Sequence, residues 1–327
     1  MKLIVNIPAY NEEAKIGETI ANIRGSFLAD FYVKDAGAII SEKLIQVVDD
    51  GSSDKTVEVA KAAGVDLLVS YKPNRRLAYS FKRAVENSLE NGADIMVNID
   101  ADGQFDPNDI PKLLLPILIG QCDMTIANRF GKHEAKDMPK IKYHLNRLAA
   151  KMIGLFLNYP IDDLTCGFRA HNRETLLRLN ITNVSFTYTQ ETIIDAIGKN
   201  LKLKWIPVKV QYFADRESRI VKSVWKFVSN SAKIILKAVR DVRPMKFFGV
   251  PGLIVVIASL LVFLLFLYHY FQTFEITTYR NYLFLSVILM FVGSQLLIFA
   301  LIADMIKTNR NLTEEQMYLL KKDRLKK

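Results

Sequence analysis

Short apolar stretches alternate with longer amphipathic stretches over residues 1–212 of this chain. This alternation is typical of an α/β domain with a parallel sheet, because buried strands read as apolar runs and surface helices show a period of 3.6 residues. The predicted strands are residues 3–7, 44–48, 66–70, 95–100 and 124–128. The predicted helices are residues 12–23, 54–63, 77–90, 108–119 and 141–157. Residues 25–42 are predicted to form an insertion that is partly helical.

Two uncharged stretches follow, at residues 247–268 and 281–303. As a helix, each is long enough to cross the roughly 30 Å hydrocarbon layer of a membrane. A short connection, residues 272–281, joins them, so the pattern predicts a hairpin that spans the membrane twice. The alternative is a pair of helices buried in a protein core.

Basic residues are concentrated beside these two stretches. The chain has a net charge of +10, yet residues 1–215 carry 27 basic and 27 acidic residues and are neutral. Residues 216–246 carry nine basic and two acidic residues, and residues 304–327 carry seven and four. The positive-inside rule therefore places both termini in the cytosol. The neutrality of the first domain also argues against a nucleic-acid binder.

The stretch before the first apolar segment, residues 221–242, has the pattern of an amphipathic helix, with one apolar stripe and one basic stripe. This pattern favours a helix that lies in the membrane interface with its lysines toward anionic headgroups. The alternative is a helix packed on the soluble domain with a solvated basic face. Pro244 is predicted to end this helix.

Cysteine and histidine provide no metal site. Cys122 and Cys166 match no zinc-binding spacing and indicate no disulfide framework, which favours a reducing compartment. The four histidines show no metal-ligand spacing either. The chain starts with a predicted strand, so no signal peptide is predicted.

Polar clusters follow three of the predicted strands. They are Pro8-Ala-Tyr-Asn-Glu12, Asp49-Asp-Gly-Ser-Ser-Asp54 and Asp100-Ala-Asp102. In an open α/β sheet, ligands bind outside the carboxyl ends of the strands, so three such clusters predict a cleft. Carboxylate oxygens suit a hard divalent cation, and the pair in the third cluster is a candidate cradle for a cation that holds a diphosphate. The alternative for this pair alone is a solvated turn.

These clusters, in this order and spacing, resemble the inverting nucleotide-sugar glycosyltransferases of family 2, which have the GT-A fold. Further motifs resemble the polyprenyl-phosphate branch of that family, which includes dolichyl-phosphate mannose synthases and bacterial glucosyl counterparts. These motifs are Asn128-Arg129, Asp163-Leu-Thr-Cys-Gly-Phe-Arg169, Phe186-Thr-Tyr-Thr-Gln-Glu191 and Arg216-Glu-Ser-Arg219. The resemblance covers residues 1–245.

The resemblance implies a hexosyltransferase that uses a nucleoside-diphosphate sugar, with uridine favoured over guanosine, and a polyprenyl phosphate such as dolichyl or undecaprenyl phosphate. It implies an integral membrane protein of the cytoplasmic or endoplasmic-reticulum membrane, with the catalytic domain in the cytosol. The expected partners are the donor, the lipid acceptor and the bilayer, and a homo-oligomer is compatible with them. The expected segments are a GT-A domain at residues 1–215, an acceptor and interface segment at 216–246, a transmembrane hairpin at 247–303 and a basic tail at 304–327.

The resemblance also implies roles for individual residues. The residues expected to bind the nucleotide are Pro8, Tyr10, Asn11, Glu12, Asp49 and Asp50. Asp102 and Gln104 are expected to bind the metal, Mg²⁺ or Mn²⁺. Asp100 beside them is expected to orient the sugar or the water molecules bound to the metal. The residues expected to bind the acceptor phosphate are Arg129, Arg147, Arg169, Arg216 and Arg219, since guanidinium groups bind phosphate in bidentate fashion. Asp100, Asp102, Arg129, Arg216 and Arg219 form the expected catalytic set, and Glu191 is assigned to sugar binding or structure.

The chain departs from the mannose synthases at two places. Arg216-Glu-Ser-Arg219 replaces a longer, glycine-containing segment that ends in Ser-Lys, so the motif does not indicate mannose. Arg75 follows Asn74 where relatives usually carry glycine, and it either fills space near the diphosphate or is exposed.

Two other functions remain open. The first is a processive polysaccharide synthase, although the usual Gln-x-x-Arg-Trp motif is absent. The second is a non-catalytic membrane scaffold that keeps the GT-A fold, against which the intact Asp-x-Asp pair and the arginines argue.

Overall fold

A computed structural model describes residues 1–26, 31–33, 38–130, 140–180, 188–211, 232, 236 and 240–326. The strands in chain order are β1 (Lys2–Ala9), β2 (Phe31–Val33), β3 (Ala38–Ile40), β4 (Glu42–Asp49), β5 (Leu67–Ser70), β6 (Ile95–Asn98), β7 (Met124–Asn128), β8 (Arg169–Asn172) and β9 (Leu203–Pro207). The helices of the first domain are α1 (Ile16–Ser26), α2 (Thr56–Ala62), α3 (Leu77–Glu90), α4 (Ile110–Leu118), α5 (Lys140–Leu157), α6 (Arg173–Arg178) and α7 (Tyr188–Gly198). A 3₁₀ turn at Pro107–Asp109 precedes α4.

Seven of the strands form one sheet in the order β5-β4-β1-β6-β8-β7-β9. Strand β1 pairs in parallel with β4 on one side and with β6 on the other. The strands β6 and β7 are buried along their whole length, as expected of central strands whose two faces are covered by helices. All five predicted strands and all five predicted helices of this domain are present, with boundaries that shift by up to four residues.

The sheet is mixed rather than parallel, because β8 runs antiparallel to both of its neighbours, β6 and β7. The sequence pattern did not predict β8 or the edge strand β9. Strand β8 reads Arg-Ala-His-Asn, which contains no β-branched or large apolar residue. It is a strand because its position between two apolar strands buries it, and that position is a property of the fold.

The insertion at residues 25–42 was predicted to be partly helical, and this is wrong beyond the end of α1 at Ser26. The described residues there form an antiparallel pair in which Phe31 faces Ile40 and Val33 faces Ala38. Aromatic and β-branched residues favour such a pair over a helix.

Two long apolar helices follow, α8 (Val250–Thr273) and α9 (Arg280–Arg324), in agreement with the predicted hairpin. A π-helical turn, Met245–Gly249, leads into α8 just after Pro244. A Cβ atom added to Gly252 would lie 3.2 Å from the carbonyl oxygen of Gly293, and the Ser259 hydroxyl donates to the Ser286 carbonyl at 2.7 Å. Small residues therefore allow the two helices to pack closely.

The chain divides into two compact units, Met1–Ile235 with Glu315–Lys327, and Leu236–Glu314. The last turns of α9 thus belong to the first unit, although the sequence pattern presents them as a basic tail. Tyr318 is buried in the cluster that contains Phe81 and Leu177. Its hydroxyl donates to Glu174 at 3.0 Å, and the guanidinium of Arg178 lies 4.1 Å from its ring centre.

Tyr318→Ala is expected to destabilise the first unit by about 3 kcal/mol, because it opens a cavity in a packed cluster. Thermal unfolding of the purified full-length protein measures the effect. Leu320→Ala is the matched control, since Leu320 lies on the same helix and is 71% exposed, against 7% for Tyr318. Equal melting temperatures for the two variants would contradict the packing role of Tyr318.

Candidate active site

The carboxyl ends of β1, β4 and β6 meet at one edge of the sheet. Because β4 and β6 lie on opposite sides of β1, the strand order reverses there, which is where open α/β sheets bind ligands. Backbone bonds join these ends, since the amide of Asp50 donates to the carbonyl of Ala9 and that of Ile99 donates to Asn6, both at 2.9 Å. The structure thus brings the three predicted clusters together.

The first two clusters are joined by side-chain hydrogen bonds. The amide of Asn11 donates to the Ser52 hydroxyl at 2.9 Å, and the Asn11 side-chain oxygen accepts from the amide of Ser53 at 2.8 Å. The amide of Glu12 donates to the Thr56 hydroxyl at 2.8 Å. Residues Pro8, Asn11 and Glu12 are half-buried, and Tyr10 beside them is exposed. Their assignment to nucleotide binding stays a prediction.

The two aspartates after β4 have different surroundings. Both carboxylate oxygens of Asp49 accept hydrogen bonds, one from the amide of Ser52 in the same turn at 3.1 Å and one from the hydroxyl of Ser70 at the end of β5 at 2.8 Å. Asp50 accepts from the backbone amide of Arg75 at 2.7 Å. Gly51, which follows Asp50, has a φ of +75°, and a Cβ atom there would lie 2.9 Å from the carbonyl oxygen of Tyr71. This turn therefore requires glycine.

The acidic pair Asp100 and Asp102 follows β6 at the same edge of the sheet. Burial, followed by the negative charge of Asp102, raises the pKa of Asp100 to about 7, and Glu12 adds to this effect. Arg129 and Arg169 oppose it only in part. Asp102 is half-exposed, and its Oδ1 accepts from the backbone amide of Gln104 at 3.1 Å in a local turn.

The two neighbouring carboxylates fit a divalent cation, whose positive charge would offset the burial and the repulsion that raise the Asp100 pKa. Among the described residues, no group of three or more His, Cys, Asp or Glu side chains forms a metal cage. A cation here would therefore take few protein ligands and complete its shell with substrate phosphates and water, as Mg²⁺ often does. The roles of Asp100, Asp102 and Gln104 in this shell stay predictions.

The loop before β8 lies directly against Asp100. A Cβ atom added to Gly167 would lie 3.1 and 3.2 Å from the two carboxylate oxygens of Asp100. The Gly167 carbonyl accepts from the side-chain amide of Asn98 at 3.1 Å. Glycine at position 167 therefore leaves room for the carboxylate.

A buried ion pair holds this loop. Arg129 Nε and Nη2 donate to the two oxygens of Asp163 at 2.7 and 2.9 Å. Asp163 Oδ1 also accepts from the backbone amide of Thr165 at 3.0 Å and from the side-chain amide of Asn146 at 3.1 Å. Burial disfavours the ionised form of Asp163, but Arg129 and these donors outweigh it and hold the pKa of the carboxyl below its ordinary value.

The arginines assigned to the acceptor phosphate occupy different environments. Arg129 is buried against Asp163, and Arg169 is fully buried, where its Nε donates to the Cys166 carbonyl at 2.7 Å and its Nη1 donates to the Thr192 hydroxyl at 2.6 Å. Arg147 is exposed on α5. Arg216 and Arg219, and most of the predicted interfacial helix, lie outside the described residues. Binding of the acceptor phosphate by these arginines stays a prediction.

The structure shows the surroundings of two residues whose roles the sequence did not decide. Arg75 is exposed, and its guanidinium lies 4.9 Å from the ring centre of Tyr79. Glu191 is buried in the first turn of α7.

The sequence assigned no individual role to Asn98, Asp163 or Gly167, although Asn98 begins the stretch 98–106 that contains the acidic pair. Asp163 and Gly167 belong to a motif that was recognised, but their contacts depend on where β8 lies. Asn98 gave a signal of its own, because it is a polar residue inside an apolar strand.

The sequence profile of glycosyl transferase family 2 matches residues 4–179, which include the three strand-end clusters and the loop before β8. The chain belongs to glycosyl transferase family 2. The matched region is more than half of the chain, so the GT-A fold that the sequence predicted is confirmed.

Several relatives of this glycosyltransferase match between 63% and 78% of the chain. An uncharacterized protein of Methanocaldococcus jannaschii, MJ1222, is 34% identical over 64% of this chain and 82% of its own length. A UDP-N-acetylglucosamine–dolichyl-phosphate N-acetylglucosaminyltransferase of Methanococcus voltae is 26% identical over 63% and 84%. A dolichol-phosphate mannosyltransferase of Pyrococcus furiosus is 26% identical over 78% and 70%.

The glycosyltransferase also shares its fold with a solved structure. Glucosyl-3-phosphoglycerate synthase from Mycobacterium tuberculosis, crystallised with Mn²⁺, UDP and phosphoglyceric acid, superposes with a TM-score of 0.55 at 19% identity. The match covers 73% of this chain and 78% of that protein.

Arg129→Ala and Asp163→Ala are each expected to destabilise the transferase by about 3 to 5 kcal/mol, because each leaves a buried charge unpaired. The double variant is expected to cost less than the sum of the two, since the charges act as a pair. Denaturant unfolding of all three proteins gives the coupling.

Arg83→Ala serves as the control, since Arg83 forms an exposed pair with Glu86 at 2.6 Å and its loss should cost at most about 0.5 kcal/mol. Strict additivity of Arg129→Ala and Asp163→Ala would show that the two side chains do not stabilise each other.

Proposed function

We propose that this family 2 transferase moves a sugar from a nucleoside diphosphate, UDP in the first instance, to a polyprenyl phosphate at the cytosolic face of a membrane, with inversion at the anomeric carbon. The observation that carries the proposal is the acidic pair Asp100 and Asp102 at the switch point of the sheet, directly beside the cluster that ends β1. The printed activities of the Methanococcus voltae and Pyrococcus furiosus relatives support a dolichyl-phosphate acceptor.

The donor binds at the joined ends of β1 and β4. In this proposal Tyr10 and Asn11 contact the base and ribose, and Asp50 accepts a hydrogen bond from the base. Asp49 keeps the turn in shape, since its two oxygens are bonded to Ser52 and Ser70. The diphosphate then lies toward Asp102, at the end of β6.

Asp102, Asp100 and Gln104 would hold Mg²⁺ or Mn²⁺ at this position. The solved glucosyl-3-phosphoglycerate synthase complexes contain Mn²⁺ or Mg²⁺ together with UDP, which supports this choice. When bound, the cation supplies charge neutralisation for the departing nucleoside diphosphate.

The acceptor explains why the site needs no strong base. A phosphate monoester has a second pKa near 6 and is already largely dianionic at neutral pH. Its oxygen attacks the anomeric carbon without giving up a proton, so neither Asp100 nor Glu191 has to remove one. The protein's task is to position this oxygen, a task for arginines that bind phosphate in bidentate fashion.

Among the described arginines of the acceptor set, Arg147 has the exposure that a phosphate ligand needs, since it lies on the surface of α5. Arg129 contributes indirectly, by holding Asp163 and with it the loop that contacts Asp100. Arg216 and Arg219 complete the proposed set and precede the basic stretch that leads to the membrane.

The hairpin of α8 and α9 anchors the enzyme in the bilayer. Both helices are long and apolar enough to cross a membrane. They expose large apolar side chains such as Leu264, Phe284 and Phe291, which suits contact with lipid tails. The basic residues that flank the hairpin favour a cytosolic position for the catalytic domain and both termini.

The proposal predicts that membranes containing the full-length protein transfer label from a nucleotide sugar to added polyprenyl phosphate. A panel of radiolabelled UDP- and GDP-sugars, followed by extraction into organic solvent, identifies the donor and the sugar. Membranes without the protein are the control. Label that enters a water-soluble product or a growing polysaccharide, with none in the lipid fraction, would contradict the lipid-phosphate acceptor.

Asp102→Asn is expected to lower this transfer about 100-fold or more, because it removes charge from the site that neutralises the leaving group. Asp106→Asn is the matched control. Asp106 is an exposed aspartate of the same loop whose Oδ1 accepts from the backbone amide of Asn108 at 2.9 Å, and asparagine accepts the same bond. Unchanged activity of a folded Asp102→Asn protein would refute the metal assignment.

A further inference from the structure

Three neighbouring strands of the sheet each place an amide side chain in the core. They are Gln46 on β4, Asn6 on β1 and Asn98 on β6, and each is at most 1% exposed. The strand register pairs Asn6 with Gln46 on one side and with Asn98 on the other. The three amides, the core amide row, therefore lie side by side across the sheet on the same face.

Hydrogen bonds run along the whole row. Gln46 Nε2 donates to Asn6 Oδ1 at 2.9 Å, and Asn6 Nδ2 donates to Asn98 Oδ1 at 2.7 Å. Asn98 Nδ2 then donates to the carbonyl of Gly167 at 3.1 Å. At the opposite end, Asn87 on α3 donates to Gln46 Oε1 at 2.7 Å.

The direction of these bonds is fixed. Gln46 Nε2 also donates to the carbonyl of Ala84 at 3.1 Å, so backbone carbonyls accept at both ends of the row. A carbonyl cannot donate, so Gln46 and Asn98 must each present their NH₂ group to it. Within the row, each amide consequently donates to its neighbour on the side of Gly167.

Buried amides need a reason at positions where apolar side chains would pack well. An amide in a core is tolerated when its hydrogen bonds are made, and a satisfied network then fixes a single arrangement of its neighbours. Here the arrangement that is fixed ends on Gly167, whose added Cβ would lie 3.1 Å from Asp100 Oδ2. The position of Gly167 thus limits how far the Asp100 carboxylate can move toward β8.

We propose that Asn98, held by Asn6 and Gln46, is a positioning residue that sets the Asp100 carboxylate through Gly167 and thereby strengthens binding of a cation with a nucleoside diphosphate. The inference rests on the proposed function, because it assumes a cation at Asp100 and Asp102. Groups that orient metal ligands commonly change metal affinity by about 10- to 100-fold when they are removed.

The test measures binding of UDP, with GDP in parallel, to the full-length protein in detergent by calorimetry, once with Mn²⁺ and once with a chelator. The wild type is expected to bind one of the two nucleotides more tightly with Mn²⁺ than with chelator. The ratio of these two affinities is the Mn²⁺-dependent gain. Asn98→Leu, which keeps the shape and removes the amide, is expected to reduce this Mn²⁺-dependent gain about tenfold. Its affinity in chelator is expected to stay unchanged, because the base and ribose contacts lie on β1 and β4.

Asn87→Leu is the matched control, since it also removes an amide from the network but at the end far from Gly167. It should lower the melting temperature and leave the Mn²⁺-dependent gain intact. An equal loss of the gain in both variants would mean a general structural effect and would overturn the positioning role. A full gain in Asn98→Leu would overturn it as well.

Gly167→Ala provides a second route that leaves the row intact. Its Cβ would push the Asp100 carboxylate by a few tenths of an ångström, so the same loss of the gain is expected with a melting temperature near that of the wild type. This variant decides the matter if Asn98→Leu fails to fold, and a retained gain would overturn the inference. A wild type that shows no gain with either nucleotide would instead refute the proposed function itself.

Discussion

The ion pair between Arg129 and Asp163 is the interaction on which the site depends. One carboxylate receives donors from the end of β7, from Asn146 on α5 and from the loop that leads to β8. Burying such a pair costs solvation, and breaking it costs more, so the loop has one favourable position. That position places Gly167 beside Asp100. It also leads the chain into β8, which lies between the strands β6 and β7. The same ion pair therefore fixes both the entry into the antiparallel strand β8 and the loop that contacts Asp100.

The sequence could predict where the three strand-end clusters meet for a geometric reason. The strands β1, β4 and β6 are apolar runs that end in polar clusters, and parallel strands in one sheet must bring their carboxyl ends to one edge. No knowledge of side-chain contacts is needed for that step. The hairpin of α8 and α9 was predictable for an equally simple reason, since two long uncharged runs joined by a short connection have few other structures.

The part of the site beside β8 could not be predicted in the same way. Strand β8 has no strand signal of its own, and its antiparallel place follows from packing between β6 and β7. The Cys-Gly-Phe-Arg motif drew attention to Arg169 as a phosphate ligand, whereas the fold buries this side chain on Cys166 and Thr192. Polar residues inside apolar strands were visible at positions 6, 46 and 98, but only the register shows that they form the core amide row.

The packing of Tyr318 has a consequence for how the protein is made. This side chain completes a cluster that also contains Phe81 and Leu177, yet the ribosome adds it after α8 and after the apolar part of α9. During synthesis the cluster therefore stays open until the hairpin has emerged. In the proposed membrane protein, the chain must return to the side of the catalytic domain before its core closes. In that case the final packing of this cluster depends on correct insertion of the hairpin.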